Sequence, residues 1–121
     1  MATMKPIGVH PVSINVVDVD DAVAFYADLL GFELRSDRPN FPFPGAWLNA
    51  GGQQLHLIGG DVPSPKGQHF AVQVADIDAA VEELRGRGAA VSDASPVGTG
   101  RQAFVTDPSG NLVEIHEAAS S

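Results

Sequence analysis

The chain has 121 residues, of which 44% are hydrophobic, and this indicates one compact domain with its own core. Its formal net charge of −8 argues against a nucleic-acid partner, which needs a basic surface, and the lack of cysteine excludes disulfides and thiolate metal sites. The sequence offers neither a long apolar span nor a signal peptide, so we expect a cytoplasmic protein without a membrane partner.

The first half of the chain predicts one helix and four strands. Residues 9–16 alternate between apolar and polar types, which is typical of a half-buried strand. Asp18 and the acids after it predict the start of a helix over 22–30, and Gly31 predicts its end. The remaining elements are a short strand over 32–35, a proline-stiffened loop over 38–44, and strands over 46–50 and 53–58.

The same pattern restarts after a glycine- and proline-containing linker over 59–66. Asp76 predicts the start of the second helix, over 79–87, and Gly88 its end. The other predicted elements are strands over 68–74, 90–92, 101–106 and 111–116, a loop over 95–100 and a turn over 107–110.

The residues themselves repeat as well as the pattern. Segment 15–23 overlays 73–81 at an offset of 58 residues, and segment 55–57 overlays 113–115 at the same offset. The sequence therefore predicts an α+β fold in one domain, 1–121, made of two paired βαβββ modules, 8–58 and 67–117. We expect the modules to form an open, cupped mixed sheet with the helices outside.

Three residues with metal-binding side chains fall on the polar rows of predicted strands. Strand alternation places His56, His69 and Glu114 opposite the apolar rows, so we expect them to point into the concavity. Two imidazoles and one carboxylate suit a divalent Zn, Ni, Co, Mn or Fe(II) ion. Each residue alone is more often structural: a pocket histidine, a surface histidine, or the partner of an arginine.

Three segments, 10–19, 24–32 and 107–114, resemble the vicinal oxygen chelate superfamily. This group includes glyoxalase I, methylmalonyl-CoA epimerase, fosfomycin-modifying enzymes, extradiol dioxygenases and bleomycin resistance proteins. The resemblance extends from about residue 9 to residue 117. It implies paired βαβββ modules around a cupped sheet, a small-molecule substrate or ligand, and a homodimer.

The resemblance also implies four metal-ligand positions, which hold Pro11, His56, His69 and Glu114 here. Pro11 cannot bind a metal, and alternation would aim the neighbouring His10 at the opposite face. Three alternatives follow: His10 turns inward at Pro11, the site uses three protein ligands and water, or metal binding has been lost.

The leading functional hypothesis from this resemblance is a metal-dependent lyase or isomerase of the glyoxalase type. The metal would hold two neighbouring substrate oxygens and stabilise an enediolate, with Glu114 as the candidate general base. The first alternative is a non-catalytic drug-binding protein of the bleomycin resistance type. The second is an extradiol-type dioxygenase, against which Pro11 counts.

Further residues are candidates for contact with a substrate. Ser13, Asn15 and Gln73 lie on the polar rows and would orient substrate oxygens, unless they are merely the polar side of a sheet. Trp47, Phe41 and Phe43 would line the entrance, unless Trp47 simply belongs to the core. Arg101 and Arg38 would meet a carboxylate, such as that of a glutathione conjugate, or simply face solvent.

Overall fold

The computed structural model describes residues 4–119. It contains eight strands and two helices in the order βαβββ–βαβββ, so the structure has the predicted α+β class with two modules. The elements are β1 (Val12–Val16), α1 (Val19–Val23, continued by a π-helix over Ala24–Leu29), β2 (Glu33–Leu34), β3 (Gly45–Ala50), β4 (Gln53–Gly59), β5 (Phe70–Gln73), α2 (Ile77–Gly86), β6 (Ser95–Val97), β7 (Gly100–Thr106) and β8 (Leu112–Glu117).

Each module builds its own open four-stranded mixed sheet. The strand orders are β1-β4-β3-β2 and β5-β8-β7-β6, so the first strand of each module lies at a sheet edge. In each sheet this edge strand pairs in parallel with the module's last strand, and the register sets Ser13 beside His56 and Ala71 beside Glu114. Equivalent positions of the two modules therefore carry His56 and Glu114.

The apolar rows of both sheets form a shared core beneath the helices. Leu55 and Leu57 in β4, and Val113 and Ile115 in β8, are each no more than 2% exposed. Because side chains alternate along a strand, the polar rows lie on the opposite, open face of each sheet. None of the helices within residues 4–119 has the length and apolar character needed to cross a membrane.

The two helices begin alike but continue differently. The Oδ1 atoms of Asp18 and Asp76 accept hydrogen bonds from the backbone amides three residues later, at 3.0 and 3.1 Å. The first helix therefore starts at Val19, earlier than predicted. From Ala24 onward it is π-helical, with the Leu30 amide bonded to the Phe25 carbonyl five residues back, at 3.0 Å.

Other element bounds also differ from the prediction. The first strand begins at Val12 rather than at residue 9, and β5 begins just after His69. In the second module, β6 occupies Ser95–Val97, where a loop was expected, because this segment pairs with β7 along a sheet edge. The strand expected over 90–92 is reduced to a single bridge between Val91 and Val105.

A buried hydrogen bond joins the modules. Tyr26, in the π-helical segment that follows α1, is fully buried, and its hydroxyl donates to Asp107 Oδ2 at 2.7 Å. Burial and this bond to Asp107 raise the pKa of Tyr26 above its ordinary value. The other oxygen of Asp107 accepts from the Ser109 and Asn111 amides, both at 2.8 Å, so one carboxylate holds both the β7–β8 turn and the first helix.

Candidate functional site on two open faces

Glu114 on β8 is the centre of the open face of the second module. Its Oε1 lies 2.9 Å from His69 Nε2, and its Oε2 lies 3.1 Å from His116 Nδ1. The Glu114 side chain is only 13% exposed. A largely buried carboxylate needs such partners, because desolvation penalises an unpaired charge. The two imidazoles therefore hold both carboxylate oxygens in place.

His69 is positioned by its backbone as well as by Glu114. Its Nδ1 lies 2.9 Å from the Gly67 carbonyl oxygen, an acceptor, while Nε2 faces the carboxylate. Only the doubly protonated ring can donate at both nitrogens. The hydrogen bond to Gly67, followed by that to Glu114, accordingly raises the pKa of His69 above its ordinary value.

His56 on β4 occupies the equivalent place on the open face of the first module. Its ring stacks on Trp47, with centroids 4.1 Å apart and planes 10° apart, and its Nε2 lies 2.8 Å from Gln54 Oε1. Burial, and then the positive charges of His10 and Arg35, lower the pKa of His56. This ring is therefore held neutral, the form that binds a metal.

The peptide between His10 and Pro11, at the first ligand position that the resemblance implies, is cis. The inward orientation of His10 stays a prediction.

The predicted convergence of His56, His69 and Glu114 is not met within one chain. His69 and Glu114 are in direct contact, whereas His56 belongs to the other sheet. Among residues 4–119, no group of three or more His, Asp or Glu side chains is placed to hold a metal ion. The donor types fit a divalent transition metal, but a single chain divides them into two partial sets.

The other predicted contact residues divide between the open faces and the helix side. Ser13 and Asn15 are exposed and, with His69, line a groove of about 340 Å³ between the modules. Gln73 is exposed at the end of β5. Arg101 instead pairs with Asp78 of α2 at 2.8 and 2.9 Å, which places it away from the open faces.

Sequence reasoning did not assign a role to His116. Strand alternation places this residue on the same face as Glu114, since the two are separated by one position in a strand. That spacing was the available signal, because residues i and i+2 of a strand are neighbours on one face. The structure turns this proximity into a contact between His116 Nδ1 and Glu114 Oε2.

Comparison with known proteins decides the family. Residues 8–115 match the Glyoxalase/Bleomycin resistance protein/Dioxygenase superfamily. The chain belongs to this superfamily. A lactoylglutathione lyase of Haemophilus influenzae is 33% identical over 122 residues, covering 89% of this chain and 90% of that protein. A probable chloroplastic lactoylglutathione lyase of Arabidopsis thaliana is 30% identical over 85% of this chain, which spans only about a third of that longer protein.

Solved structures of the superfamily include both enzymes and binding proteins. A putative glyoxalase family protein of Bacillus anthracis is 26% identical, with a TM-score of 0.86 over 96% of this chain and 98% of that one. TnmS3, an antibiotic-binding protein of Streptomyces, is 28% identical, with a TM-score of 0.78 over 96% and 99%. FosX of Listeria monocytogenes, a fosfomycin resistance protein solved with Mn(II), is 20% identical with a TM-score of 0.80 over 96% and 95%, a likeness of fold alone.

Proposed function

We propose that this chain is a metal-dependent lyase or isomerase of the glyoxalase type, acting on a small substrate with two neighbouring oxygens. The observation that carries the proposal is Glu114, held between His69 and His116 on an open sheet face. The lactoylglutathione lyases at 30–33% identity support the reaction class. A bound divalent ion would supply Lewis-acid stabilisation of an enediolate.

We further propose that the complete donor set forms between two copies of the chain. His56 lies on one module, and His69 and Glu114 lie on the other, so one copy presents two partial sets. A homodimer that brings the first module of one copy against the second module of the other would unite them. Such a dimer has twofold symmetry and contains two equivalent sites.

The side chains of the chain itself have distinct proposed roles. His56 would bind the metal as a neutral imidazole, in keeping with its lowered pKa. Glu114 would accept the proton removed from the substrate carbon, since carboxylates serve as general bases. Its contacts with His69 and His116 fix the orientation of the carboxylate before the substrate arrives.

A second candidate function is the sequestering of a small molecule without catalysis. It is favoured by the division of the donor set within one chain and by the aromatic side chains that stack on the first open face, Trp47 among them. The likeness to the antibiotic-binding TnmS3 adds support. The dioxygenase alternative is weaker, because Pro11 occupies the first ligand position that the resemblance implies.

Metal analysis of protein purified without chelator separates the two classes. A lyase should contain a transition metal or should gain thermal stability when Ni, Co, Zn or Mn is added, since a ligand that binds the folded state raises its stability. Turnover of the hemithioacetal of methylglyoxal and glutathione then tests the reaction. Absence of both metal content and thermal shift would favour the sequestering protein.

A further inference from the structure

The loop over residues 38–44 presents two aromatic rings to solvent. Phe41 and Phe43 are 38% and 41% exposed, and their rings are parallel within 12° with centroids 5.1 Å apart. Prolines at 39, 42 and 44 restrict this loop. Arg38 lies 5.0 and 5.4 Å from the two ring centroids and donates to the Phe43 carbonyl at 2.9 Å. The rings are thus held in place by their own chain.

This aromatic rim, Phe41 and Phe43, continues inward to the candidate metal ligand of the first module. The ring of Phe41 lies 6.2 Å from that of Trp47, and Trp47 stacks on His56 at 4.1 Å. The rows of rings therefore lead from the protein surface to His56. A ligand that lies along them would contact aromatic faces before it reaches the imidazole.

The charges around the rim are mixed. A shallow depression of about 750 Å³ beside Phe41 and Phe43 is lined by two carboxylates, Asp18 and Asp20, and by the guanidinium of Arg38. All five arginines already bond to their own chain: Arg35 to Asp37 and Asn49, Arg38 to Phe43, Arg85 to Val91 and Asp93, Arg87 to Asp28, and Arg101 to Asp78. Of the two arginines expected to meet a glutathione carboxylate, Arg101 is paired with a carboxylate, whereas Arg38 bonds to an uncharged backbone carbonyl.

We propose that the ligand of this site carries a planar aromatic group, which packs against the aromatic rim beside Trp47. The inference rests on the proposed function only for the two neighbouring oxygens, which would lie towards His56. It narrows the substrate to aryl-substituted compounds with adjacent oxygens. Aromatic contact supplies the affinity here.

Three probes test the proposal without added metal. They are 1-phenylethane-1,2-diol, propane-1,2-diol, which has a methyl group in place of phenyl, and S-lactoylglutathione, which is anionic. Trp47 is the single tryptophan of the chain, so its fluorescence reports binding at the rim. We expect the phenyl diol to bind at least about tenfold more tightly than the methyl diol, since burial of a phenyl ring is favourable.

Variants locate the binding. Phe41→Ala and Phe43→Ala should each remove most of the preference for phenyl, and Phe41→Leu, which keeps apolar volume, should reduce it. Leu34→Ala is the matched control, because Leu34 is a 53% exposed apolar residue of the same sheet, and it should leave the preference intact. Equal binding of the diols, tighter binding of S-lactoylglutathione, no binding of the phenyl diol, or an equal loss in Leu34→Ala would each overturn the proposal.

Failure of the aromatic site can be distinguished from failure of the proposed metal-dependent function. A thermal shift with Ni, Co, Zn or Mn is recorded separately on the same preparations. If added metal causes no thermal shift but the phenyl diol is still preferred, the metal-dependent function is refuted and the aromatic site is supported. A retained shift without preference for phenyl would refute the aromatic site alone.

Discussion

The two modules share the βαβββ order of elements but differ in their helices and in the side chains at equivalent positions. At the offset of 58 residues, Tyr26 of the first helix corresponds to Leu84 of the second, and His56 corresponds to Glu114. The first module has a π-helical segment and an open face of stacked aromatic rings. The second has a regular α-helix and a carboxylate between two imidazoles. The comparison shows that a repeated scaffold can carry different side chains at equivalent positions of its two modules.

The two open faces also differ in the charge state that each favours for its histidine. The first keeps His56 neutral through burial and nearby positive charges, whereas the second favours the charged form of His69 through acceptors at both nitrogens. The first face carries His56, and the second carries His69 with Glu114, so each face alone holds only part of the proposed donor set. The proposed site therefore depends on bringing unlike faces together.

The largest predicted effect follows from removing Glu114. Glu114→Ala should abolish the thermal shift caused by added metal and should abolish turnover, because it removes both a proposed ligand and the proposed base. His69→Ala should also abolish the shift, whereas His116→Ala should retain one. Glu82→Ala, at an exposed position of α2, is the control for loss of an acidic residue. A full shift in Glu114→Ala would refute the ligand assignment.

The next effect concerns the bond that joins the modules. Tyr26→Phe removes the 2.7 Å hydrogen bond to Asp107 and should lower the free energy of unfolding by about 2 kcal/mol, as expected for a buried bond to a charged group. Urea denaturation of Tyr26→Phe, Asp107→Asn and the double variant measures the coupling. Strictly additive losses would show that the two side chains do not stabilise each other.

A smaller effect tests whether the helix starts remain equivalent. Asp18→Ala and Asp76→Ala each remove an N-cap bond of about the same length and should each cost about 1 kcal/mol of unfolding free energy. Equal losses would mean that the π-helical segment after Ala24 leaves the first turn unaffected. If only one variant loses stability, the caps have diverged as well.

Histidine titrations followed by nuclear magnetic resonance test the electrostatic difference. The pKa of His69 should lie above 6.5 and that of His56 below it. The stability that His69 contributes is fully present below the unfolded-state value and is lost as pH rises through its raised pKa. For His56, stability is lost as pH falls from 6.5 through its lowered pKa.

Two variants identify the causes of these shifts. Glu114→Gln should lower the pKa of His69 only partly, because the larger contribution comes from the Gly67 carbonyl. His10→Ala should raise the pKa of His56 slightly, since burial is the main cause of its shift. An unchanged pKa of His56 in His10→Ala would show that the charge of His10 does not contribute to the shift.

The sequence repeat was enough to predict the two modules, whereas it did not predict the contacts between them. Alternation in residues 53–58 and 111–116 placed His56 and Glu114 on polar rows because each strand alternates with a period of two. The hydrogen bond between Tyr26 and Asp107 joins residues that are 81 positions apart in the chain, and no local pattern encodes such a contact. For the same reason, alternation gave the face of each donor but not whether the faces meet in one chain.

Subunit mixing tests most directly whether the donor set is completed between copies. His56→Ala and Glu114→Ala chains, each without metal-dependent stabilisation, are unfolded together in equal amounts and refolded. If modules of different copies form each site, half of the dimers are mixed and one of their two sites is intact, so about a quarter of the sites should recover metal binding. No recovery in mixtures shown to contain mixed dimers would contradict a site shared between copies.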